Sequence, residues 1–120
     1  MNNKPRYSLF KNAGYALEGL AHAVKTESSF KLELFFTLPL LIAIYLFPFT
    51  LALKLLLVVT LVLIMIVELL NSAVENVVDL VTTEVHPLAK SAKDVGATAV
   101  LFAVVLHIIC WVFILLETFL

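Results

Sequence analysis

Long apolar runs alternate with short clusters of charge along this chain. Leu34–Leu53, Leu55–Val67 and Val95–Leu116 contain no ionisable residue except Tyr45, His107 and Cys110. The first and third are twenty and twenty-two residues long. Roughly 20 apolar residues let a helix cross the hydrocarbon core of a bilayer with its backbone groups satisfied internally. The second run reaches a full span when Thr50–Lys54 extend it outward. Pro48, Phe49 and Thr50 read as the tight turn between the first two spans, with Pro39 as a tolerated kink. The polar segment Thr82–Ser91 reads as the second turn. Ahead of the spans, Phe10, Ala13, Leu17, Leu20 and Val24 recur at helical spacing, with Lys11, Asn12, Glu18, His22 and Lys25 on the other faces. This pattern predicts an amphipathic helix on the membrane surface over residues 6–28. Transmembrane helices are expected over residues 30–48, 50–81 and 91–118 of a single membrane domain spanning 1–120.

Composition supports an all-α membrane protein. Hydrophobic residues make up 62% and charged residues 14%, with mean hydropathy +1.08. A soluble domain carries about 25% charged residues, so polar groups here are too few to cover a water-soluble globule. Seven of eight basic residues, Lys4, Arg6, Lys11, Lys25, Lys31, Lys90 and Lys93, fall on one side of the predicted spans, and only Lys54 falls on the other. The positive-inside rule then predicts a cytoplasmic amino terminus and an external carboxyl terminus. Residues 7–31 lack both a continuous apolar core and a small-residue cleavage pattern, so no signal peptide is expected. The single Cys110 excludes an intrachain disulfide. No nucleic-acid partner is expected.

Charge appears where the apolar pattern would exclude it. Glu68, Ser72, Glu75 and Asp79 follow the second apolar run without a break, four, three and four residues apart. On one helix they form a single polar stripe bordered by Asn71. A carboxylate at membrane depth costs about 2.5–3.5 kcal/mol on insertion scales, and such residues mark functional sites. Three acids on one stripe also need a cation or basic groups to neutralise them. Glu27 and Glu33 flank the start of the first span, and Lys93-Asp94 opens the third. An oxygen-only set suits Mg²⁺ completed by substrate phosphates. Gly14 and Gly19 have P-loop spacing, but Leu20-Ala21 stand where Lys-Ser/Thr is required. That spacing is read as chance.

The run Glu68-Leu-Leu-Asn71-Ser72-Ala-Val-Glu75-Asn-Val-Val-Asp79, followed by Ala92-Lys93-Asp94-Val-Gly96, resembles the signature of prokaryotic diacylglycerol kinases. Ala13-Gly14-Tyr15 and Glu27-x-x-Phe30-Lys31-x-Glu33 extend the resemblance over essentially the whole chain. It implies a homotrimer in a bacterial inner membrane, with three transmembrane helices and one surface helix per subunit and active sites shared between subunits. By matching position, Glu68 would be the general base that takes the proton of the lipid hydroxyl. Glu27 and Glu75 would hold Mg²⁺ against ATP. Tyr15, Glu84, His86, Lys93 and Asp94 would contact the nucleotide, with Asn71 and Asp79 supporting the site. The lipid would lie along Asn12, Ala13, Gly14 and the chain to Leu17, then Ser29, Phe30, Lys31, Glu33, Ala97 and Trp111.

The sequence departs from that pattern at Ser8, where many such kinases carry a nucleotide-contacting arginine. Arg6 is the nearest candidate replacement. The segment His86–Lys90 looks closer to the undecaprenol kinase branch, whereas Glu33 and Gly96-Ala-Thr-Ala look closer to the diacylglycerol branch. Diacylglycerol is the favoured acceptor and undecaprenol the alternative. A proton- or ion-conducting oligomer using the acid stripe, and a scaffold without chemistry, are the rival classes. Self-association is expected from the many polar groups and few internal partners; the number three comes from the resemblance alone.

Overall fold

The computed structural model describes residues 8–120, which form four helices. Helix α1 spans Leu9–Thr26. Ser8 is its N-cap, extended in backbone, and its hydroxyl accepts the Lys11 N–H at 3.4 Å. Ser8 thus acts as a helix cap, whereas Arg6 lies outside the described residues. Helix α2, Ser28–Leu46, follows after the single extended residue Glu27. The Glu27 N–H donates to Ala23 O at 2.9 Å and its own carbonyl accepts Lys31 N–H at 3.1 Å. One residue therefore closes α1 and opens α2, so the axis can change direction without leaving backbone groups unpaired.

α2 continues through Pro39 and stops at Leu46, because Pro48 disfavours helical geometry at Phe47. Phe47 sits at φ −69°, ψ 148°. Helix α3, Leu51–Val81, starts at its cap Thr50, whose hydroxyl accepts the Leu53 N–H at 3.4 Å. Lys54 donates to the Tyr45 carbonyl at 2.8 Å. The lone basic residue at this end thus serves an orphan carbonyl in the last turn of α2.

Helix α4 spans Pro87–Phe119, so the second turn is shorter than the expected Thr82–Ser91. Pro87 stands in the first turn, where a missing N–H costs nothing, and His86 Nδ1 accepts the Leu88 N–H at 3.1 Å. The segment His86–Lys90 is therefore a capped helix start, not a loop.

α4 packs along α3, α2 packs on α3, and α1 meets α2. Ile44, Phe49, Leu57, Leu61 and Ile114 form the core cluster toward the α2–α3 turn, with Trp111 against it. α2, α3 and α4 are each long and apolar enough to cross a membrane, and at most 28% of any apolar window is buried within the chain. The remaining apolar side chains, such as Phe35, Leu55, Phe102 and Phe113, face outward. Such surface is stable only against lipid or another protein.

Candidate active site

The start of α2, the end of α3 and the start of α4 meet at one end of the bundle, and the charged residues gather there. Glu68 is 6% exposed, buried on the α3 face that meets α2. Ser29 donates to Glu68 Oε1 at 2.8 Å, while Phe30, 1% exposed, wedges the start of α2 into the bundle. Glu33 stands one turn along α2 from Ser29, and its carboxyl is near that of Glu68. Its Oε2 is buried without a partner. Two carboxyl groups and a hydroxyl thus converge in an otherwise apolar setting.

About two and three turns along the same face of α3, the acids have other partners. Asn71 Nδ2 donates to Glu75 Oε1 at 3.2 Å. Asn71 Oδ1 is buried, lacks a conventional partner and lies against Gly96 of α4. A methyl group built on Gly96 would overlap that oxygen and come within 3.2 Å of Asn71 Cγ. Glycine at 96 thus leaves room for the Asn71 side chain in its present position. Sequence reasoning did not single out Gly96 as part of this packing; a glycine opening an apolar span is the signal that could have found it.

Lys93 reaches back from α4 to Asp79 at 2.7 Å, while Asp94 pairs with Lys90 at 2.6 Å. The neighbours Lys93 and Asp94 therefore have separate partners. Both lysines precede the charge-free stretch that begins at Val95. Asp79, Glu84, His86, Lys90, Lys93 and Asp94 line one recess of about 300 Å³. Glu27 lies apart from it, in a groove between α1 and α3 with His22, Ser72 and Asn76.

The expected site residues thus divide into neighbouring groups. Tyr15, Asn12 and Ala13 are exposed on α1, and Gly14 is partly buried there. Lys31 and Ala97 are exposed on α2 and α4. Trp111 stands at the far end of the bundle, away from the carboxylates, in contact with Phe47 and Phe49. Among the described residues, no group of three or more His, Cys, Asp or Glu could hold a metal ion through protein ligands alone.

The family model for prokaryotic diacylglycerol kinase matches residues 14–115, which include all of these site residues except Asn12 and Ala13. The chain belongs to the prokaryotic diacylglycerol kinase family. It is similar to the diacylglycerol kinase of Escherichia coli (strain K12), 39% identical over 112 residues that cover 92% of this chain and 91% of the relative. The diacylglycerol kinase of Pseudomonas aeruginosa is 37% identical over 103 residues, 86% of this chain and 84% of that protein. The undecaprenol kinase of Bacillus subtilis is 36% identical over 101 residues, covering 83% and 82%. Membership of this kinase family makes the chain an enzyme, and its three apolar helices make it a membrane-embedded one.

Proposed function

We propose that this chain transfers the terminal phosphoryl group of ATP to the primary hydroxyl of diacylglycerol, forming phosphatidic acid. The reaction is assigned to the cytoplasmic face of a bacterial inner membrane, in keeping with the basic residues of α1 and with Lys90 and Lys93 at the start of α4. The observation that carries this reading is Glu68 itself: a carboxylate buried among membrane helices, oriented by Ser29, with the unpartnered Glu33 oxygen beside it. A lipid hydroxyl entering from the apolar side meets a base there. As the hydroxyl oxygen bonds to the γ-phosphorus, its proton passes to Glu68. The bond between that phosphorus and the bridging oxygen breaks, and ADP leaves with the electron pair.

Phosphoryl transfer depends on positioning and on neutralising phosphate charge. Lys93, with Asp79 holding its ammonium, supplies a cation at the recess that Glu84, His86 and Asp94 also line. Tyr15 on α1 is the further nucleotide contact. Glu27 and Glu75 are the Mg²⁺ ligands of this reading. Two carboxylates with no nitrogen or sulfur ligand fit a hard cation that takes its other oxygens from ATP phosphates and water. Once bound, Mg²⁺ would neutralise phosphate charge at this end of α3. Glu68 lies seven residues deeper than Glu75, about 10 Å along the helix, so the base reaches lipid while the nucleotide stays near water.

α1 lies on the membrane surface in this account. The break at Glu27 frees its axis, and Leu9, Phe10 and Leu17 are exposed. An open apolar groove of about 690 Å³ between α3 and α4 supports assembly, for which the proposed state is a homotrimer with shared sites.

Undecaprenol is the second acceptor reading, supported by the Bacillus subtilis relative. An ion path fits less well. Glu68, Glu75 and Asp79 are turned to separate partners, Ser29, Asn71 and Lys93, which leaves no continuous relay. The test is phosphoryl transfer from MgATP to diacylglycerol and to undecaprenol in separate reconstitutions. Preference for diacylglycerol supports the assignment; preference for undecaprenol moves the protein to the other branch.

A further inference from the structure

His107 is buried in the middle of α4, 5% exposed, with no acid beside it, and the chemistry above gives it no role. Its hydrogen bonds form a closed chain. Trp111 Nε1 lies 3.0 Å from His107 Nε2, and an indole N–H can only donate. Nε2 is therefore the acceptor, and the ring proton sits on Nδ1, which lies 2.7 Å from Thr60 Oγ1. The Thr60 hydroxyl then donates to a carbonyl of its own helix, Leu56 O at 3.0 Å or Leu57 O at 3.1 Å. The tautomer follows from this network. Every polar atom from the indole to the α3 backbone is matched, which a membrane interior demands.

The chain of bonds fixes one object, the indole of Trp111. Phe47 and Phe49 hold the same ring by edge contacts, each at 6.0 Å between centroids. Trp111 and His107 also line a cavity of about 320 Å³ between α2, α3 and α4, together with Phe36, Leu40 and Leu61. At its opposite end that cavity is lined by Glu33, the neighbour of Glu68. Glu33–Leu40 and Val104–Trp111 each span seven steps of helix, so the groove is about 10 Å long. It is mostly apolar along its length, with the Glu33 carboxyl at one end and the indole at the other.

We propose that His107 is a positioning residue for the acceptor lipid. It holds Trp111 as the floor of the groove and so sets how far a hydrocarbon chain can enter when the lipid hydroxyl is at Glu68. This inference rests on the lipid-kinase reading and adds to it a determinant of chain length. The occupant is one hydrocarbon chain of the acceptor. A floor held by hydrogen bonds and aromatic contacts discriminates between chains that stop short of it and chains that must bend around it.

The test uses full-length protein in bilayers, with His107→Leu and His107→Gln. Glutamine carries an acceptor for Trp111 and a donor for Thr60 on one amide; leucine carries neither. Trp111 is the only tryptophan in the chain, so its emission and the Raman marker of indole N–H hydrogen bonding read the floor directly. The first readout needs no turnover. Leucine should shift both signals and glutamine should restore them, and diacylglycerol brominated along its chains should quench wild-type Trp111 more than equally brominated phospholipid does. The second readout is kinetic. His107→Leu should change the ratio of KM for dioctanoyl- and dioleoylglycerol about fivefold, as expected for one lost hydrogen bond, with kcat within about twofold and recovery in His107→Gln. An unchanged KM ratio in a leucine variant with displaced Trp111 signals would overturn the proposal. So would equal quenching by the two brominated lipids. If wild-type protein phosphorylates no diacylglycerol yet shows the selective quenching, the groove assignment stands and the kinase reading fails instead.

Discussion

Replacing Gly96 with alanine should disturb the site through a residue on another helix. The added methyl would overlap Asn71 Oδ1 and approach Cγ to 3.2 Å. The overlapped atom ends a side chain, so the easiest relief is for Asn71 to swing away. That breaks its 3.2 Å bond to Glu75. A hydrogen bond to a charged group is worth about 1.5–3 kcal/mol. Alanine returns about 0.5–1 kcal/mol relative to glycine within a helix. The net expectation for Gly96→Ala is a loss of about 0.5–2.5 kcal/mol of stability. Because Glu75 loses the donor that orients it, phosphoryl transfer should fall about tenfold to a hundredfold.

Unfolding in mixed micelles, combined with phosphoryl transfer to diacylglycerol, measures both effects. The decisive comparison is a double-mutant cycle with Asn71→Ala. With the asparagine shortened to alanine, the two overlapping atoms are gone and its Cβ stands 4.0 Å from the new methyl, so Gly96→Ala should be neutral or stabilising by up to about 1 kcal/mol. A stability loss of the same size in both backgrounds would refute the reasoning, because the clash would then lie between the helices and not at Asn71.

Lys93→Met should raise the KM for ATP about tenfold, measured at saturating lipid, while the KM for diacylglycerol stays within about twofold; one charge-assisted phosphate contact is worth that much. Removing divalent metal with a chelator should abolish turnover, and Mg²⁺ should restore it, because Glu27 and Glu75 cannot offset the phosphate charge themselves. Activity that persists without metal would dismiss both residues as ligands.

The membrane helices were legible because lipid imposes a coarse rule: twenty residues without charge must span it or be buried. Their ends were less so. α4 begins at Pro87 rather than near residue 91 because a proline and a capping histidine extend the helix into a segment whose polarity reads as loop. The acid stripe from Glu68 to Asp79 was visible as an offence against the apolar pattern. Its partners on other helices were not, since Ser29 reaches it from α2 and Lys93 from α4. Spacing within one helix says nothing of which neighbour packs there. Gly96 and the chain Thr60–His107–Trp111 were hidden for the same reason: both depend on the register of α4 against α3, and no single segment encodes that register.

The central claim is that buried Glu68 accepts the proton of a lipid hydroxyl during transfer from ATP. Glu68→Gln keeps the size of the side chain and an oxygen for Ser29, and removes only the basicity. The direct measurement is transfer of γ-labelled phosphate from MgATP to diacylglycerol by wild-type and Glu68→Gln protein of matched unfolding midpoint, in the same bilayers. The account predicts transfer by wild type and a loss of about 10²–10⁴-fold in kcat for the variant, the usual contribution of a general base. Glu68→Gln turnover within a few-fold of wild type would contradict it.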